Sequence, residues 1–158
     1  MINKKGRLAV FDAGTLVGII TASDLIKSLP DVPETEVKVD DFMTKKVVMA
    51  DEETSVINVA KTMGTERIGS VIITRKGMPF GIFTERDLLT NFLAAGRDLF
   101  TDVGTHCSQP LSVAASGISA HRAAAIMALK HIRRLPIVSE EKIVGIVTAR
   151  DLVEAYAR

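Results

Sequence analysis

Gly145-Ile146-Val147-Thr148-Ala149-Arg150-Asp151-Leu152 is the third appearance of one phrase in this 158-residue chain. It follows Gly18-Ile19-Ile20-Thr21-Ala22-Ser23-Asp24-Leu25 and Gly81-Ile82-Phe83-Thr84-Glu85-Arg86-Asp87-Leu88, at successive offsets of 63 and 64 residues. Self-similarity at a fixed long period marks a repeated structural unit. The likeness extends well beyond the octapeptide. Laying 40–94 on 104–158 without a gap matches Ala50 with Ala114, Ser55 with Ser119, Ala60 with Ala124, Met63 with Met127, Ile68 with Ile132 and Ile73 with Ile137.

Both long copies parse alike. In the first, Val47-Val48-Met49 is a short apolar strand, Ser55 can cap the helix after it, and Val56, Val59, Ala60 and Met63 share one helical face. Gly64 loosens the end of that helix. Ser70–Thr74 is rich in β-branched residues, Arg75-Lys76-Gly77 supplies a turn, and Pro79–Phe83 returns as a strand. A second helix starts near Glu85 and runs to about Ala94. The second copy repeats the order through Leu111–Ala114, Ser119–His131, Leu135–Val138, Ile143–Val147 and Arg150–Tyr156. The order predicts an α/β (α+β) chain of tandem β-α-β-β-α units spanning 40–97 and 104–158. Residues 7–29 match only the second half of a unit, as strand Arg7–Phe11, turn Ala13-Gly14, strand Leu16–Ile20 and helix Ala22–Leu29. Residues 30–39, with Pro30, Pro33 and the acidic Asp31, Glu34 and Glu36, read as a linker. Without a preceding strand and helix, the half unit is expected to leave its apolar face unburied. It should therefore pair with a neighbouring chain or cover a sheet edge.

Composition narrows the classes. With 47% hydrophobic and 25% charged residues the chain reads as globular and soluble. A net charge of +1 gives no broad electrostatic grip on nucleic acid or membrane. No apolar run approaches a membrane span, and the opening residues lack a signal-peptide core. The single cysteine, Cys107, has no intrachain disulfide partner, which fits a cytoplasmic location. His121 and His131 lie ten residues apart, so one helix would not aim both at a metal. No Gly-x-x-x-x-Gly-Lys-[Ser/Thr] loop, Gly-x-Ser-x-Gly elbow or His-Glu-x-x-His pair occurs, and Thr84 and Asp87 lack a partner base, so no enzyme is expected.

With Phe42-Met43-Thr44 ahead of the first strand, Ile68-Gly69-Ser70-Val71-Ile72-Ile73 in one unit and Ile132-Arg133-Arg134-Leu135-Pro136-Ile137-Val138 in the other, the repeat resembles the cystathionine-β-synthase (CBS) domain. The resemblance covers two complete units and half of a third. It implies a pair of units related by a pseudo-two-fold, a Bateman module, and a chain that is a piece of a longer parent with four units in two pairs. It also implies a regulatory sensor that binds AMP, ADP, ATP or S-adenosylmethionine in clefts between paired units and signals by conformational change, with no cofactor required. Oligomers in this family pack helix on helix, so a homodimer or higher oligomer through the helix faces is expected, together with an effector protein. Two other readings belong beside this one: a structural or protein-interaction module with no ligand, and the regulatory fragment of a larger enzyme or transporter.

The binding chemistry can be argued from the residues too. An ionised Asp87 or Asp151 can accept both hydroxyls of a ribose diol, and each sits in the first turn of a helix, where a carboxylate complements the dipole. Thr84 or Thr148 with the helix-start N–H groups can donate to phosphate, and Arg86 or Arg150 adds a bidentate cation. The resemblance places the adenine slot on Val47, Val48, Met49, Ile68, Gly69 and Ser70 in the first unit. In the second it falls on Leu111, Ser112, Val113, Arg134, Leu135 and Pro136, with Arg133 or Arg134 as an auxiliary cation. Met49 and Val113 stand where the family often has Thr or Ser, and Ser23 replaces the Arg of the other two phrases.

Plainer roles compete for several of these residues. Thr-x-x-Asp is an ordinary N-cap as well as a ligand motif, and the two uses can coexist. Arg133-Arg134 reads equally as the cationic end of a helix, and His131 as a solvated helix end. Met63 and Met127 read as core fillers, and Cys107, which aligns with Met43, as a small apolar residue. Ala123-Ala124-Ala125 forms a close-packing helix surface open to a subunit contact.

Overall fold

The computed structural model describes residues 7–28 and 36–156, and the chain divides into two compact units. One unit comprises 46–112, the other 1–45 with 113–158. Neither coincides with a sequence repeat. The segment that leads each repeat sits in the unit built on the other repeat's sheet.

The unit 46–112 holds strand β3 (Met49–Asp51), helix α2 (Val56–Glu66), strands β4 (Ser70–Arg75) and β5 (Met78–Thr84), and helix α3 (Glu85–Asp87). The sheet order is β3-β4-β5, parallel then antiparallel. Val56, Val59 and Met63 on one face of α2 meet Val71, Ile73 and Phe83 in the core. This is the 3.6-residue spacing at work against the period of two. After Asp87 the helix widens over Leu88–Leu93: the N–H of Ala94 reaches Leu89 O at 2.9 Å and that of Arg97 reaches Phe92 O at 3.0 Å. The wider turn carries Phe92, at 0% exposure, into edge contact with Phe83 and His106. The core is closed by the turn Val103–Thr105, where the Val103 N–H bonds Thr54 O at 2.9 Å and Ser108 and Ile82 exchange backbone bonds.

The second unit repeats this plan with strand β6 (Ala114–Ala115), helix α4 (Ala120–Leu129), strands β7 (Arg134–Ser139) and β8 (Lys142–Thr148), and helix α5 (Ala149–Tyr156), in sheet order β6-β7-β8. Its closing turn is Val39–Asp41. The Val39 N–H bonds Ile118 O at 3.0 Å, and Thr44 and Ile146 exchange backbone bonds. Asp40 accepts from the Ser116 hydroxyl and, at 2.6 Å, from the Gly117 N–H, which holds its carboxyl below the usual range. The matching position in the other unit is Gly104, where a Cβ would sit 3.0 Å from the Glu52 carbonyl. A side chain fits one closing turn and not the other.

The half unit forms strands β1 (Arg7–Asp12) and β2 (Thr15–Thr21), then helix α1 (Ala22–Ser28). Its hairpin copies the other two in register. Leu8 faces Ile20 as Val71 faces Phe83 and Leu135 faces Val147, and the extra residue on the returning strand falls at the same place in all three. The half unit does not leave its whole apolar face unburied, and among the described residues it covers no sheet edge. Helix α1 packs on α4 and α5, Ile26 is buried in their core, and β1 and β2 pair only with each other.

Other readings shift in detail. β3 and β6 begin later than Val47 and Leu111, because the ladder needs a partner: Met49 pairs with Ile72 and Ala114 with Ile137. Gly64 lies inside α2, which runs on to Glu66 before Arg67 turns left-handed at φ 54°. Ser55 stands at an N-cap but its hydroxyl caps nothing, whereas Ser119 accepts from the Arg122 N–H. Helix α4 ends at Leu129, so Arg133 lies in the following loop and Arg134 opens β7; the pair does not end a helix. Ala123 and Ala124 are buried in their own unit's core, so they offer no open face to another subunit. Met63, Met127 and Cys107 are buried, and burial raises the Cys107 thiol pKa, as suits apolar filling. Of the linker 30–39, residues 30–35 lie outside the described residues, as does Leu29.

Candidate functional site

Each complete unit gathers its motif residues at one end of its sheet. In the unit 46–112, register places Ser70 opposite Thr84, and the Ile72 N–H bonds Val48 O at 3.0 Å, so Val47-Val48-Met49 runs beside the start of β4. Helix α3 leaves from the end of β5, and its Glu85 N–H bonds Gly69 O at 3.1 Å. Residues 47–49, 68–70 and 84–87 thus converge. In the other unit Arg134 lies opposite Thr148 and the Ala149 N–H bonds Arg133 O at 3.0 Å. Val113, Arg133, Arg134, Pro136, Thr148, Arg150 and Asp151 therefore share one end of the sheet. Three residues assigned to this site depart from it. Leu111 and Ser112 belong to the unit 46–112, where the Leu111 N–H bonds Phe80 O at 2.9 Å. Leu135 is at 0% exposure within the core, so its side chain is spent on packing and not on a slot.

At each helix start the threonine and aspartate form a closed reciprocal pair. The Thr84 N–H and hydroxyl both donate to Asp87 Oδ2, at 2.8 and 2.7 Å, and the Asp87 N–H returns a bond to Thr84 Oγ1 at 3.3 Å. Thr148 and Asp151 do the same at 2.8, 2.8 and 3.3 Å. Thr21 and Asp24 complete the set, and their bonds hold the Asp24 carboxyl below its ordinary range. This is the capping box with Asp in the acceptor role. It corrects the expected division of labour, since the single hydroxyl proton of Thr84 or Thr148 is committed to the aspartate and does not stand ready for phosphate. The aspartate keeps more. Its Oδ1 has no hydrogen-bond partner among the described residues in either complete unit, and a carboxylate oxygen oriented through its twin is a prepared acceptor.

The two sites differ in their cations. Arg86 is exposed and forms no ion pair among the described residues, while Arg150 Nε lies 3.8 Å from Glu154. They share an apolar element that the sequence marked only as a departure: Met49 and Val113, at equivalent positions, are 43% and 41% exposed. An exposed apolar side chain in the same place in both units, beside polar groups at the helix start, suits a flat apolar ligand face.

Comparison with known proteins accords with this geometry. The CBS domain family model matches residues 1–31, 39–94 and 102–158. The CBS domain-containing protein YhcV of Bacillus subtilis is 33% identical over 72% of this chain and 81% of its own length. Protein MJ1225 of Methanocaldococcus jannaschii is 29% identical over 98% of this chain, which spans 60% of that protein. The crystal structure of MJ1225, a protein proposed as an archaeal homologue of γ-AMPK, superposes with a TM-score of 0.79 over 96% of this chain at 24% identity. A hexameric CBS-CP12 protein from bloom-forming cyanobacteria gives 0.71 over 76% of this chain and 72% of its own, also at 24% identity. No helix among the described residues is long and apolar enough to cross a membrane. Three repeats with one register, one bulge and one capping box, matched by family model, relatives and solved folds alike, make this chain a member of the CBS domain family.

Proposed function

We propose that the chain is a non-catalytic regulatory module of the cytoplasm that binds adenosine-containing ligands (AMP, ADP, ATP or S-adenosylmethionine) at the helix starts of its two complete units. The observation that carries this reading is the pair of aspartates, each oriented by its threonine through Oδ2 with Oδ1 open. Ribose hydroxyls donate to Asp87 or Asp151, Arg86 or Arg150 takes the phosphate, and the base lies on Met49 or Val113. The description of MJ1225 as a γ-AMPK homologue supports an adenine nucleotide among the candidates. A ligand shifts a conformational equilibrium by its differential affinity for the two states, and in this reading the output is such a shift passed to an effector protein.

A specific observation favours a second reading. Thr21 and Asp24 build the same box in the half unit, which among the described residues has neither slot strand nor first helix, so the box serves there as a cap. In that reading the chain is an interaction module without a ligand.

Thermal unfolding with each of the four ligands separates the two. A ligand at 100 times its Kd adds about 2.7 kcal/mol, and a rise in midpoint with at least one is expected. Unchanged midpoints with all four would leave the interaction module. ATP incubated with the protein, with and without Mg²⁺, should stay intact; hydrolysis lost in Asp87→Ala or Asp151→Ala would require an enzyme.

A further inference from the structure

The two complete units build the same backbone around the Thr–Asp box and set different charges on it. The Glu85 N–H bonds Gly69 O at 3.1 Å, and the Ala149 N–H bonds Arg133 O at 3.0 Å. Ser70 lies opposite Thr84 as Arg134 lies opposite Thr148. Gly69, Ser70 and Glu85 are thus the structural equivalents of Arg133, Arg134 and Ala149, and Arg86-Asp87 those of Arg150-Asp151. One end gathers three arginines around an aspartate; the other sets a single arginine against a glutamate and an aspartate. With Glu154, 3.8 Å from Arg150 Nε, included, the first cluster is still positive where the second is negative. Arg133 and Arg150 are exposed and Arg134 is half-buried, while Glu85 is exposed at the other end. Because the backbone is common to both, these side chains decide what each end tolerates.

We propose that the two complete units select ligands by charge: the Arg133–Arg134–Arg150 end takes an adenosine ligand carrying a di- or triphosphate, and the Gly69–Ser70–Glu85 end discriminates against one. This inference rests on the adenosine-binding reading above and divides its ligands between the two units. Guanidinium groups match phosphate oxygens in a planar fork, and each phosphate added beyond the first supplies further oxygens for a second or third arginine. At the other end Arg86 alone serves a phosphate, and the Glu85 carboxylate repels each added negative charge. Discrimination of this kind needs the repulsive group as much as the attractive ones.

The test is NMR titration of the full chain, without Mg²⁺, following amide shifts at 69–70 and 84–87 separately from those at 133–134 and 148–151. From AMP through ADP to ATP, affinity at the arginine end is expected to rise about tenfold or more, and at the Glu85 end not to rise. Each unit supplies the other's variants on an unchanged backbone. Arg133→Gly with Arg134→Ser should abolish the rise, and Glu85→Ala should strengthen ATP binding at its own end several-fold. Adenosine ligands that bind both ends with the same dependence on phosphate number overturn the division and leave the adenosine reading standing. A rise that survives the double arginine variant overturns it too. Inorganic tripolyphosphate as the probe separates the two failures, since it needs no nucleoside contact. It should perturb 133–134 and 148–151 well before the other end. Equal perturbation of both ends, or of neither, overturns the division, whereas selective perturbation with no response to AMP, ADP or ATP at either end would sink the adenosine reading.

Discussion

The hairpins β1–β2 and β7–β8 have the same register, the same extra residue and the same Thr–Asp box, yet one is exposed and the other lies in a core. Backbone pattern and capping are therefore local properties, written in the strand-turn-strand-helix segment itself. Burial is not local. Leu8 is 60% exposed where its equivalent Leu135 is at 0%, because β7 has a strand beside it and α4 over it. The comparison separates what the motif does alone from what its unit adds.

Substitutions at matched positions should expose that difference. The largest effect is expected at the last residue of the motif. Leu152 is at 0% exposure and Leu25 at 37%, so Leu152→Ala should cost about 2–5 kcal/mol while Leu25→Ala stays within about 0.5 kcal/mol in urea unfolding. Equal losses would mean that the half unit is as buried as the complete one. Next come the motif glycines. A Cβ on Gly145 would overlap Met43 Sδ, and one on Gly81 would sit 2.5 Å from Cys107 Sγ, while Gly18 has nothing within 4 Å. Gly145→Val and Gly81→Val should each cost about 1–3 kcal/mol, and Gly18→Val almost nothing. These glycines make room for the closing segment, and among the described residues only Gly81 and Gly145 face one.

Smaller effects compare the complete units with each other. Ser119→Ala removes a cap bond and should cost about 1 kcal/mol, against a few tenths for Ser55→Ala, whose hydroxyl caps nothing. Asp40 gives the smallest effect and a pH signature. Its pKa is lowered from 3.8 by the Ser116 and Gly117 bonds, so the ionised form stabilises the fold above that value, and the contribution is lost as pH falls through the lowered one. Asp40→Asn should cost about 0.5–1 kcal/mol near neutrality, discounted for partial exposure. Unfolding midpoints of variant and wild type should converge in acid. A constant gap down to pH 2 would assign the effect to packing.

Much of this architecture is legible in the order of residues alone. Repeated spacing marks the units, the strand pairs and the helix faces, and the threonine and aspartate at each helix start come straight from the motif. What the sequence hides is non-local. Nothing in Val39–Thr44 or Val103–Ser108 says that each closes the unit built on the other repeat, since that depends on which sheet edge lies within reach. Leu135 reads as a slot residue beside Pro136, but a strand's alternation turns it into the core. The commitment of the Thr84 hydroxyl to Asp87 is likewise a matter of geometry at the helix start, which composition does not reveal.

Calorimetric titration of AMP into wild type, Asp87→Ala, Asp151→Ala and Asp24→Ala tests the central claim most directly. Losing a charge-assisted contact of about 1.5–3 kcal/mol should weaken the affected site roughly 10- to 150-fold in Asp151→Ala, with a matching loss at the other site in Asp87→Ala. Asp24→Ala, which breaks the same box in a unit without a slot, should titrate like wild type. Binding unchanged in both Asp87→Ala and Asp151→Ala would reduce all three aspartates to helix caps and contradict the account.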